Sequence, residues 1–376
     1  MVIWVIGRNY PLPENGMQGS FELEQAKMLS RFGNDVHYLA CCLHPIKRIK
    51  KRGLQSWTDE GVKVTVLSAF FAPRVYPFYF VKERNRLWSK LLDEAERSQG
   101  IPDVIHVHYP SMLMIADSLA VFREKGVRIV ATEHWSKVLA KKLDTTELRE
   151  YKKYGSVLNK LICVGAPLKN AVKELTGIEG VVVPNIVNRL FQPATAGHDG
   201  YGFVAVGRLV KFKQFDRIID AFWDCFSDQK DVTLTIIGGG DEMANLRKKV
   251  EERQAGDRIK LLGSQDRKRT AELVSNSDSL VCYSNFETFG VPVIEAWACG
   301  LPVVTTTATA VLDPFDERLG FEISPDDFEG LKKAMRRLYE QREAYDKGWI
   351  VHFVNERFSE SAVYEKLLGV YQETRQ

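Results

Sequence analysis

The stretch LVCYSNFETFGVPVIEAWACGLPVV, residues 280–304, constrains the fold of this chain more than any other part of the sequence. Its opening apolar run, Leu280 to Tyr283, predicts a buried strand, and the polar residues after it predict a loop. Pro292 suits the first turn of a helix, because its missing N–H costs nothing there, and Gly300 suits the helix end. Leu301 to Val304 predicts the next strand. The stretch is therefore a βαβ unit whose loop lies at the carboxyl edge of a parallel sheet, where such sheets bind ligands.

Two carboxylates in this unit lie eight positions apart, Glu287 in the loop and Glu295 one turn into the helix. Between them lie the backbone N–H groups of about Phe289 to Val293, including those of Gly290 and Val291. These groups are unpaired at the positive end of the helix and are available to a phosphate. Anion-binding amides flanked by hydroxyl acceptors suit a nucleotide sugar. The alternative is that Glu287 is a solvated loop residue and Glu295 an exposed residue favoured by the helix dipole.

The string SNFETFGVPVIEAWACGLPVV resembles the E-x7-E signature of the retaining glycosyltransferases of family 4, also called glycosyl transferases group 1. The agreement includes the Phe-Gly-Val-Pro core, both glutamates and the Ala-Cys-Gly-Leu-Pro tail. The resemblance implies the GT-B fold, in which two Rossmann-like, doubly wound parallel-sheet domains face an interdomain cleft. It implies an acceptor-side domain at residues 1–188, a nucleotide-sugar-binding domain at 189–356 and a final helix within 357–376 that packs back on the first domain.

Length and composition agree with a two-domain α/β protein and exclude some other classes. A chain of 376 residues exceeds what one core usually supports, and its formal net charge of +3 lacks the broad cationic face of a dedicated nucleic-acid binder. The six cysteines form no C-x-x-C pair, so we expect buried thiols in a reducing compartment. The amino terminus lacks the features of a secretory signal, and no 18 apolar residues run uninterrupted. We therefore expect a cytoplasmic protein that touches a membrane at most from its surface.

A loop with two glycines, Gly16 and Gly19, precedes a helix predicted to begin at about Ser20 with its hydroxyl as the cap. Glycine removes side chains where a phosphate or sugar approaches the backbone, although an ordinary turn is the alternative. The resemblance implies that this loop faces the donor. The buried face of the helix is predicted to comprise Phe21, Met28, Leu29 and Phe32.

The string GRLVKFKQF in the second half places two cations in one short loop before an amphipathic helix. Gly207 allows close approach of a ligand, Arg208 offers a planar fork to phosphate oxygens, and Lys213 offers a point charge. The alternative is a charged surface loop. The string resembles the family's G-R-L-x-x-x-K element, which implies that both cations grip the donor diphosphate. Gln214 replaces the glycine that the family usually has there, so the geometry of this turn is in question.

Histidines lie at the ends of two predicted strands in the first half of the chain: His106 and His108 on one, and His134 on the next. Alternation along a strand places His106 and His108 on the same side. A metal site is one interpretation of H-x-H, but without a further ligand hydrogen-bonded histidines are favoured. The string VATEHW resembles the family's strand-end histidine that lies against the donor sugar. That role is carried to His134 alone, and Glu133 is left unassigned.

A basic segment without nearby acids is followed by the aromatic stretch AFFAPRVYPFYF, residues 69–80. Cations and aromatic rings together suit the surface of an anionic bilayer, whereas a solvated loop over packed aromatics is the alternative. The cations are Lys47, Arg48, Lys50, Lys51 and Arg52.

Glycosyl transfer requires that the leaving nucleoside diphosphate be stabilised, either by a divalent metal or by fixed cations and dipoles. The sequence has no D-x-D motif for a metal, so metal-independent transfer is predicted, with no cofactor beyond the donor substrate. Glu295 is expected to accept from ribose hydroxyls and Glu287 from the sugar ring. The predicted catalytic residues are His134, Arg208, Lys213 and Glu287.

The resemblance implies a hexosyl-type transferase that retains the anomeric configuration and uses a UDP- or GDP-linked donor. It also implies a glycan or lipid-linked acceptor in cell-surface polysaccharide or glycolipid synthesis. Two alternatives are another GT-B enzyme, such as a nucleotide-sugar epimerase or phosphorylase, and a non-catalytic nucleotide-sugar-binding partner of an assembly complex.

Overall fold

The chain forms two compact units, each built on its own sheet of mainly parallel strands. The computed structural model describes residues 1–12, 18–44, 53–70, 77–195, 199–309, 311–312 and 314–373. The amino-terminal unit comprises Met1–Pro184 together with Val363–Gln376, and the carboxyl-terminal unit comprises Asn185–Ala362. The chain therefore enters the second unit once and returns to the first.

The amino-terminal unit is an eight-stranded sheet with helices between the strands. Its strands are β1 Val2–Gly7, β2 Asp35–His44, β3 Gly53–Asp59, β4 Val62–Phe70, β5 Val104–His108, β6 Arg128–Glu133, β7 Lys160–Cys163 and β8 Gly180–Val182. Its helices are α1 Ser20–Arg31, α2 Pro77–Gln99, α3 Pro110–Leu113, α4 Ala116–Glu124, α5 Ser136–Leu139, α6 Thr145–Val157 and α7 Ala166–Thr176. The strand order is β3-β4-β2-β1-β5-β6-β7-β8, so β1, β5 and β6 are neighbours at the centre.

Every neighbouring pair in this sheet is parallel except β3 with β4. The apolar run of β1 is covered on both faces, since Ile3 to Ile6 are fully buried, as expected for a central parallel strand. Strand β3 was not predicted. It lies at the edge, and five of its seven residues are exposed, so it has no buried face to give a periodic signal.

Helix α1 begins at Ser20 as predicted, but its cap and its buried face differ from the prediction. Gly19, in a left-handed conformation with φ 101°, is the N-cap, and no side chain caps the helix. Phe21 and Phe32 are exposed, so their predicted burial is wrong, whereas Met28 and Leu29 are fully buried. The wrong assignments arose because Glu22, a charged residue, occupies the buried face.

The carboxyl-terminal unit is a six-stranded, fully parallel sheet. Its strands are β9 Tyr201–Val206, β10 Val232–Ile237, β11 Ile259–Leu261, β12 Ser279–Val281, β13 Val303–Thr306 and β14 Gly320–Ile323. Its helices are α8 Phe215–Phe226, α9 Met243–Glu252, α10 Arg267–Ser275, α11 Val291–Ala298, α12 Phe328–Glu340 and α13 Lys347–Phe358. Short 3-10 turns occupy Lys211–Lys213, Glu317–Leu319 and Arg342–Ala344. The last helix, α14 Glu360–Glu373, begins in this unit and ends in the other.

The predicted βαβ unit is present as β12, α11 and β13, with boundaries shifted by one or two residues. Leu280 pairs with Val303 in parallel register, and β12 also pairs with β9. The sheet order β11-β10-β9-β12-β13-β14 therefore places the loops after β9 and β12 side by side at the carboxyl edge. None of the helices within the described ranges has the length and apolar character needed to cross a membrane.

Candidate active site

Lys213 and Glu287, from the loops after β9 and β12, form an ion pair in the carboxyl-terminal unit. The two side chains are only 16% and 15% exposed. Burial disfavours the charged form of Lys213, but the neighbouring Glu287 and Cys282 outweigh it and raise the lysine pKa above its ordinary value. The sequence placed these residues 74 positions apart, and the fold brings them into contact at the sheet edge.

Gln214 adopts the left-handed conformation at the position after Lys213, with φ 52°. A non-glycine residue pays for this conformation, and here the side-chain amide compensates by bridging three acceptors. It donates to the carbonyl oxygens of Tyr283 at 3.3 Å and Pro325 at 2.9 Å, and it contacts Oδ1 of Asn285. The turn in question therefore forms without glycine, and Gln214 ties it to the loop after β12.

The amino end of α11 provides fewer backbone donors than the sequence suggested. Val293 already donates its N–H to the carbonyl of Gly290 at 2.9 Å, and Pro292 has none. Phe289, Gly290 and Val291 remain as the N–H groups at this end. Gly290 is the left-handed N-cap with φ 95°, and a Cβ there would lie 2.1 Å from Cγ2 of Thr309.

Glu295 is 2% exposed and pairs with Arg267 at the start of α10. It is thus not an exposed first-turn glutamate. The Arg267 guanidinium also lies over the ring of Phe191, 5.0 Å from its centroid. Arg267 was not predicted as a site residue, because its string, SQDRKR, reads as an ordinary charged helix start.

Arg208 is exposed on the loop after β9, and this loop is fixed by the loop after β10. Gly207 donates to the carbonyl of Ile237 at 3.0 Å, and Leu209 donates to that of Gly239 at 2.9 Å. A Cβ on Gly238 would lie 1.8 Å from the carbonyl oxygen of Gly207. The two backbones approach so closely that only glycine fits at position 238.

In the amino-terminal unit, His106, His108 and His134 form a stack at the carboxyl ends of β5 and β6. Ring centroids are 4.6 Å apart between His106 and His108 and 5.2 Å apart between His108 and His134. His108 Nδ1 and His134 Nε2 are hydrogen-bonded at 3.0 Å, and His106 bonds to Thr132 and Tyr371. Burial lowers the pKa of all three, that of His134 to about 3, so the rings are neutral at pH 7.

Arg8, directly after β1, extends this stack through Tyr109. Its guanidinium lies 3.6 Å from the Tyr109 ring centroid, and the Tyr109 and His134 rings stack at 4.8 Å. Nε of Arg8 donates to Oε1 of Glu22 at 2.7 Å, and Glu22 is fully buried. Neither Arg8 nor Glu22 was predicted as a site residue from the sequence. A cation immediately after the first central strand, at the ligand-binding edge of a parallel sheet, could have indicated Arg8.

Glu133 is fully buried beneath the loop that carries His134. Its Oε1 accepts the backbone N–H groups of His134 at 3.0 Å and Trp135 at 2.9 Å, and its Oε2 accepts that of Ser111 at 3.3 Å. Burial raises the pKa of Glu133, against the opposing effect of these bonds. This carboxyl group therefore shapes the ends of β5 and β6 and points away from solvent.

Six residues predicted to have functional roles lie outside the part of the chain that the structure describes. They are Gly16 and the cations Lys47, Arg48, Lys50, Lys51 and Arg52. Gly19 is described, and a Cβ there would lie 2.0 Å from the carbonyl oxygen of Asn9. Within the described part of the chain, no group of three or more His, Cys, Asp or Glu residues is arranged to hold a metal ion.

The low pKa of His134 makes the stability of the amino-terminal unit depend on pH. The unfolded chain binds a proton at His134 below about pH 6.5, whereas the folded chain binds it only near pH 3. Stability is therefore fully present above pH 6.5 and is lost as the pH falls from there towards 3. Between pH 7 and pH 5 this residue alone should remove about 2 kcal/mol from the free energy of unfolding.

Urea denaturation at pH 7 and pH 5 measures this loss. His134→Gln should reduce the pH dependence by that amount, and the control His352→Gln, at a side chain that is 69% exposed, should leave it unchanged. A wild-type pH dependence in His134→Gln would contradict the assignment.

Comparison with known families gives two adjoining matches. The family model described as Glycosyltransferase Family 4 matches residues 20–189, and that described as Glycosyl transferases group 1 matches residues 188–348. The two models meet at the start of the carboxyl-terminal unit.

Individual relatives agree with these matches. The chain is 27% identical over 309 residues to N-acetyl-alpha-D-glucosaminyl L-malate synthase of Bacillus anthracis, covering 78% of this chain and 76% of that protein. It is 29% identical over 250 residues to one component of the phosphatidylinositol N-acetylglucosaminyltransferase of Homo sapiens, covering 62% of this chain. The chain spans only 50% of the length of that human protein.

Solved structures share the fold over nearly the whole chain. A sucrose-phosphate synthase from Thermosynechococcus elongatus superposes with a TM-score of 0.76 at 18% identity, covering 99% of this chain and 98% of that one. Anabaena HepE in complex with UDP and glucose gives a TM-score of 0.75 at 16% identity, covering 99% and 100%. These likenesses establish the architecture of two Rossmann-like domains.

Proposed function

We propose that this chain, which matches the Glycosyltransferase Family 4 and Glycosyl transferases group 1 models over adjoining ranges, is a glycosyltransferase of the GT-B type that catalyses the following reaction. The protein transfers a sugar from a nucleoside diphosphate sugar to a glycan or lipid-linked acceptor, with retention at the anomeric carbon and without a metal ion. The pathway is the synthesis of a cell-surface polysaccharide or glycolipid. The observation that carries the proposal is the convergence of Lys213, Glu287 and the amino end of α11 at one sheet edge.

The diphosphate is the anion that this edge suits best. Lys213 and Arg208 come from one loop, and the N–H groups of Phe289, Gly290 and Val291 come from the other. Fixed cations and dipoles of this kind stabilise the charge that grows on a leaving diphosphate, and they need no reorganisation during the reaction. In the structure Lys213 is held by Glu287. On donor binding, Lys213 turns to the phosphate oxygens and Glu287 accepts hydrogen bonds from the sugar hydroxyls.

Glu295 receives the ribose in this proposal, and Arg267 takes part in that contact. The carboxylate is almost completely buried, and its partner Arg267 is one-third exposed. A carboxylate has acceptor sites for an Arg and for a hydroxyl at the same time. Arg267 therefore fixes the orientation of Glu295, whose carboxylate accepts hydrogen bonds from the ribose hydroxyls in the proposed complex.

His134 acts on the amino-terminal side as a neutral imidazole. Its pKa of about 3 excludes the imidazolium as the resting form at pH 7. A neutral ring has one donor nitrogen and one acceptor nitrogen, and the bond to His108 occupies Nε2. Nδ1 of His134 is then the atom that contacts the transferred sugar, and Glu133 positions it by holding the backbone of the loop.

The site of action that we propose is the inner face of the cell membrane, which the basic segment Lys47, Arg48, Lys50, Lys51 and Arg52 contacts. Electrostatic attraction to anionic lipids contributes roughly 1 kcal/mol per cation near the headgroups.

A panel of donors tests the proposed reaction directly. The names of two relatives include an N-acetylglucosaminyl group, and HepE has been crystallised with UDP-glucose, so UDP-N-acetylglucosamine and UDP-glucose come first, beside GDP- and ADP-sugars. One donor should raise the melting temperature and release nucleoside diphosphate in the presence of an acceptor extract. NMR of the product should show the anomeric configuration of the donor.

Two controls separate the alternatives. EDTA should leave the rate unchanged, and a rate abolished by EDTA and restored by Mg²⁺ would contradict metal independence. Recovery of an epimerised sugar or of a sugar phosphate, with no extended acceptor, would identify an epimerase or a phosphorylase instead.

A further inference from the structure

Arg8 is fixed in place by two contacts, at the carboxyl end of the central strand β1. Its Nε donates to Glu22 Oε1 at 2.7 Å, and the plane of its guanidinium lies 3.6 Å from the Tyr109 ring centroid. Glu22 is fully buried in α1, and Tyr109 is 8% exposed. A planar group held along one edge and over one face has lost most of its freedom to rotate, so its remaining edge is preorganised.

That remaining edge carries the two terminal nitrogens. Within the described ranges, Nε donates to Glu22 Oε1, and the guanidinium also interacts with the Tyr109 side chain. The Arg8 side chain is 19% exposed, and neither terminal nitrogen is enclosed without a partner. Part of the Arg8 side chain thus reaches solvent at the carboxyl end of β1, where its terminal N–H groups can donate to a ligand.

A purely structural ion pair accounts for this arrangement less well. The contact joins one nitrogen to one oxygen, whereas an Arg–carboxylate pair that serves stability is frequently bidentate. Oε2 of Glu22 has no hydrogen-bond partner among the described residues although it is buried. The pair thus uses one nitrogen of Arg8 and leaves the second oxygen of Glu22 without a hydrogen bond in the described part of the chain.

The guanidinium of Arg8 lies close to His134, the residue proposed to contact the transferred sugar. Tyr109 lies between Arg8 and His134 and stacks on both, so a single ring separates the fork from the proposed sugar-contacting histidine. The strands that carry these residues, β1, β5 and β6, are neighbours in the sheet.

We propose that the terminal nitrogens of Arg8 bind an anionic group of the acceptor, a carboxylate or a phosphate, and thereby place the attacking hydroxyl of the acceptor beside His134. The inference rests on the proposed function and adds the substrate class of its acceptor. A carboxylate and a phosphate both match the planar fork through two parallel N–H···O bonds. Neutral sugars lack this contact and are poorer acceptors.

The sharpest variant is Arg8→Lys, because lysine keeps a positive charge beside the buried Glu22 but loses the planar fork. Isothermal titration calorimetry of wild type and variant would use three probes that differ in one group: glucose, glucuronate and glucose 6-phosphate. We expect one of the two anionic sugars to bind the wild type at least about tenfold more tightly than glucose does, and Arg8→Lys to remove that difference. Whichever anionic sugar binds more tightly shows whether the acceptor group that Arg8 binds is a carboxylate or a phosphate.

A control variant and a replacement variant show whether a change in binding is specific to the Arg8 guanidinium. Arg123→Lys, at an exposed position on α4 of the same unit, should bind all three probes as the wild type does. If Arg8→Lys unfolds, the double variant Arg8→Gln with Glu22→Gln, which removes both charges together, replaces it. Equal binding of glucose and both anions, or an anion preference that survives in the variant, would overturn the proposal.

Failure of this inference and failure of the proposed function are separable. Donor binding and release of nucleoside diphosphate test the function without reference to Arg8. A wild type that transfers sugar to neutral and anionic acceptors equally well would refute the anionic acceptor and leave the transferase intact. Anion binding through Arg8 in a protein that turns over no donor would refute the transferase and, with it, the assignment of the anion as an acceptor.

Discussion

Replacing Lys213 with methionine should lower the rate of glycosyl transfer about 100-fold while leaving the fold intact. Lys213 is the cation that the structure brings against Glu287 at the proposed diphosphate site. Loss of one preorganised group that stabilises transition-state charge typically costs a factor of this size. The steady-state rate at saturating donor is the measurement, with circular dichroism to verify folding.

Lys211 provides a matched control for this prediction. It lies two positions away in the same 3-10 turn and is exposed, so Lys211→Met should retain nearly the full rate. Lys213→Met also leaves Glu287 without its partner, and a carboxylate beside the diphosphate would repel it. The double variant Lys213→Met with Glu287→Gln removes that repulsion. Near-wild-type turnover in either Lys213 variant would exclude the lysine from the mechanism.

Replacing Gly238 with alanine should destabilise the carboxyl-terminal unit by about 3 kcal/mol, through two effects that add. The backbone has φ 146°, a conformation that L-residues rarely adopt, and the new Cβ would lie 1.8 Å from the Gly207 carbonyl oxygen. The clash is with backbone, so no side chain can move aside. For a unit of this size the melting temperature should fall by roughly 6–12 °C.

Gly256→Ala is the control, because a Cβ at Gly256 would meet nothing within 4 Å. Differential scanning calorimetry should show little change for it. If Gly238→Ala and Gly256→Ala have the same melting temperature, then the loops after β9 and β10 are free to separate, and the rigid placement of Arg208 by those loops is wrong.

The sequence predicts most of the parallel strands because they are buried on both faces. Strands β12 and β13 lie within two residues of the predicted apolar runs, and α11 is displaced by only one residue. Continuous apolar runs between turn residues give a strong signal whatever their tertiary partners. The expectation of two Rossmann-like domains is confirmed by the topology of both sheets and by the structural relatives.

What the sequence does not reveal are the partners of charged residues. From the sequence, Glu295 is either a glutamate stabilised by the helix dipole or an acceptor for ribose hydroxyls. Its ion pair with Arg267 forms only because α10 packs beside α11. Glu22 reads as a first-turn acid, yet it is buried against Arg8. Such contacts arise between segments that are distant in the chain, and no local pattern encodes them.

Gln214 shows a different limit of sequence reasoning. The absence of glycine put the turn after Lys213 in question, since the left-handed conformation normally favours glycine. The structure forms the turn nevertheless, because a side-chain amide of the right length meets Tyr283 and Pro325. Local propensity predicted a difficulty that three tertiary hydrogen bonds remove.

The return of α14 to the amino-terminal unit has a consequence for biosynthesis. Val363, Leu367 and Tyr371 are fully buried there, and Tyr371 is hydrogen-bonded to His106. On the ribosome, the first unit thus stays incomplete until residue 373 has emerged, while everything the second unit needs has already been translated. The carboxyl-terminal unit can therefore complete its fold first, whereas the amino-terminal unit completes its core only after α14 has been synthesised.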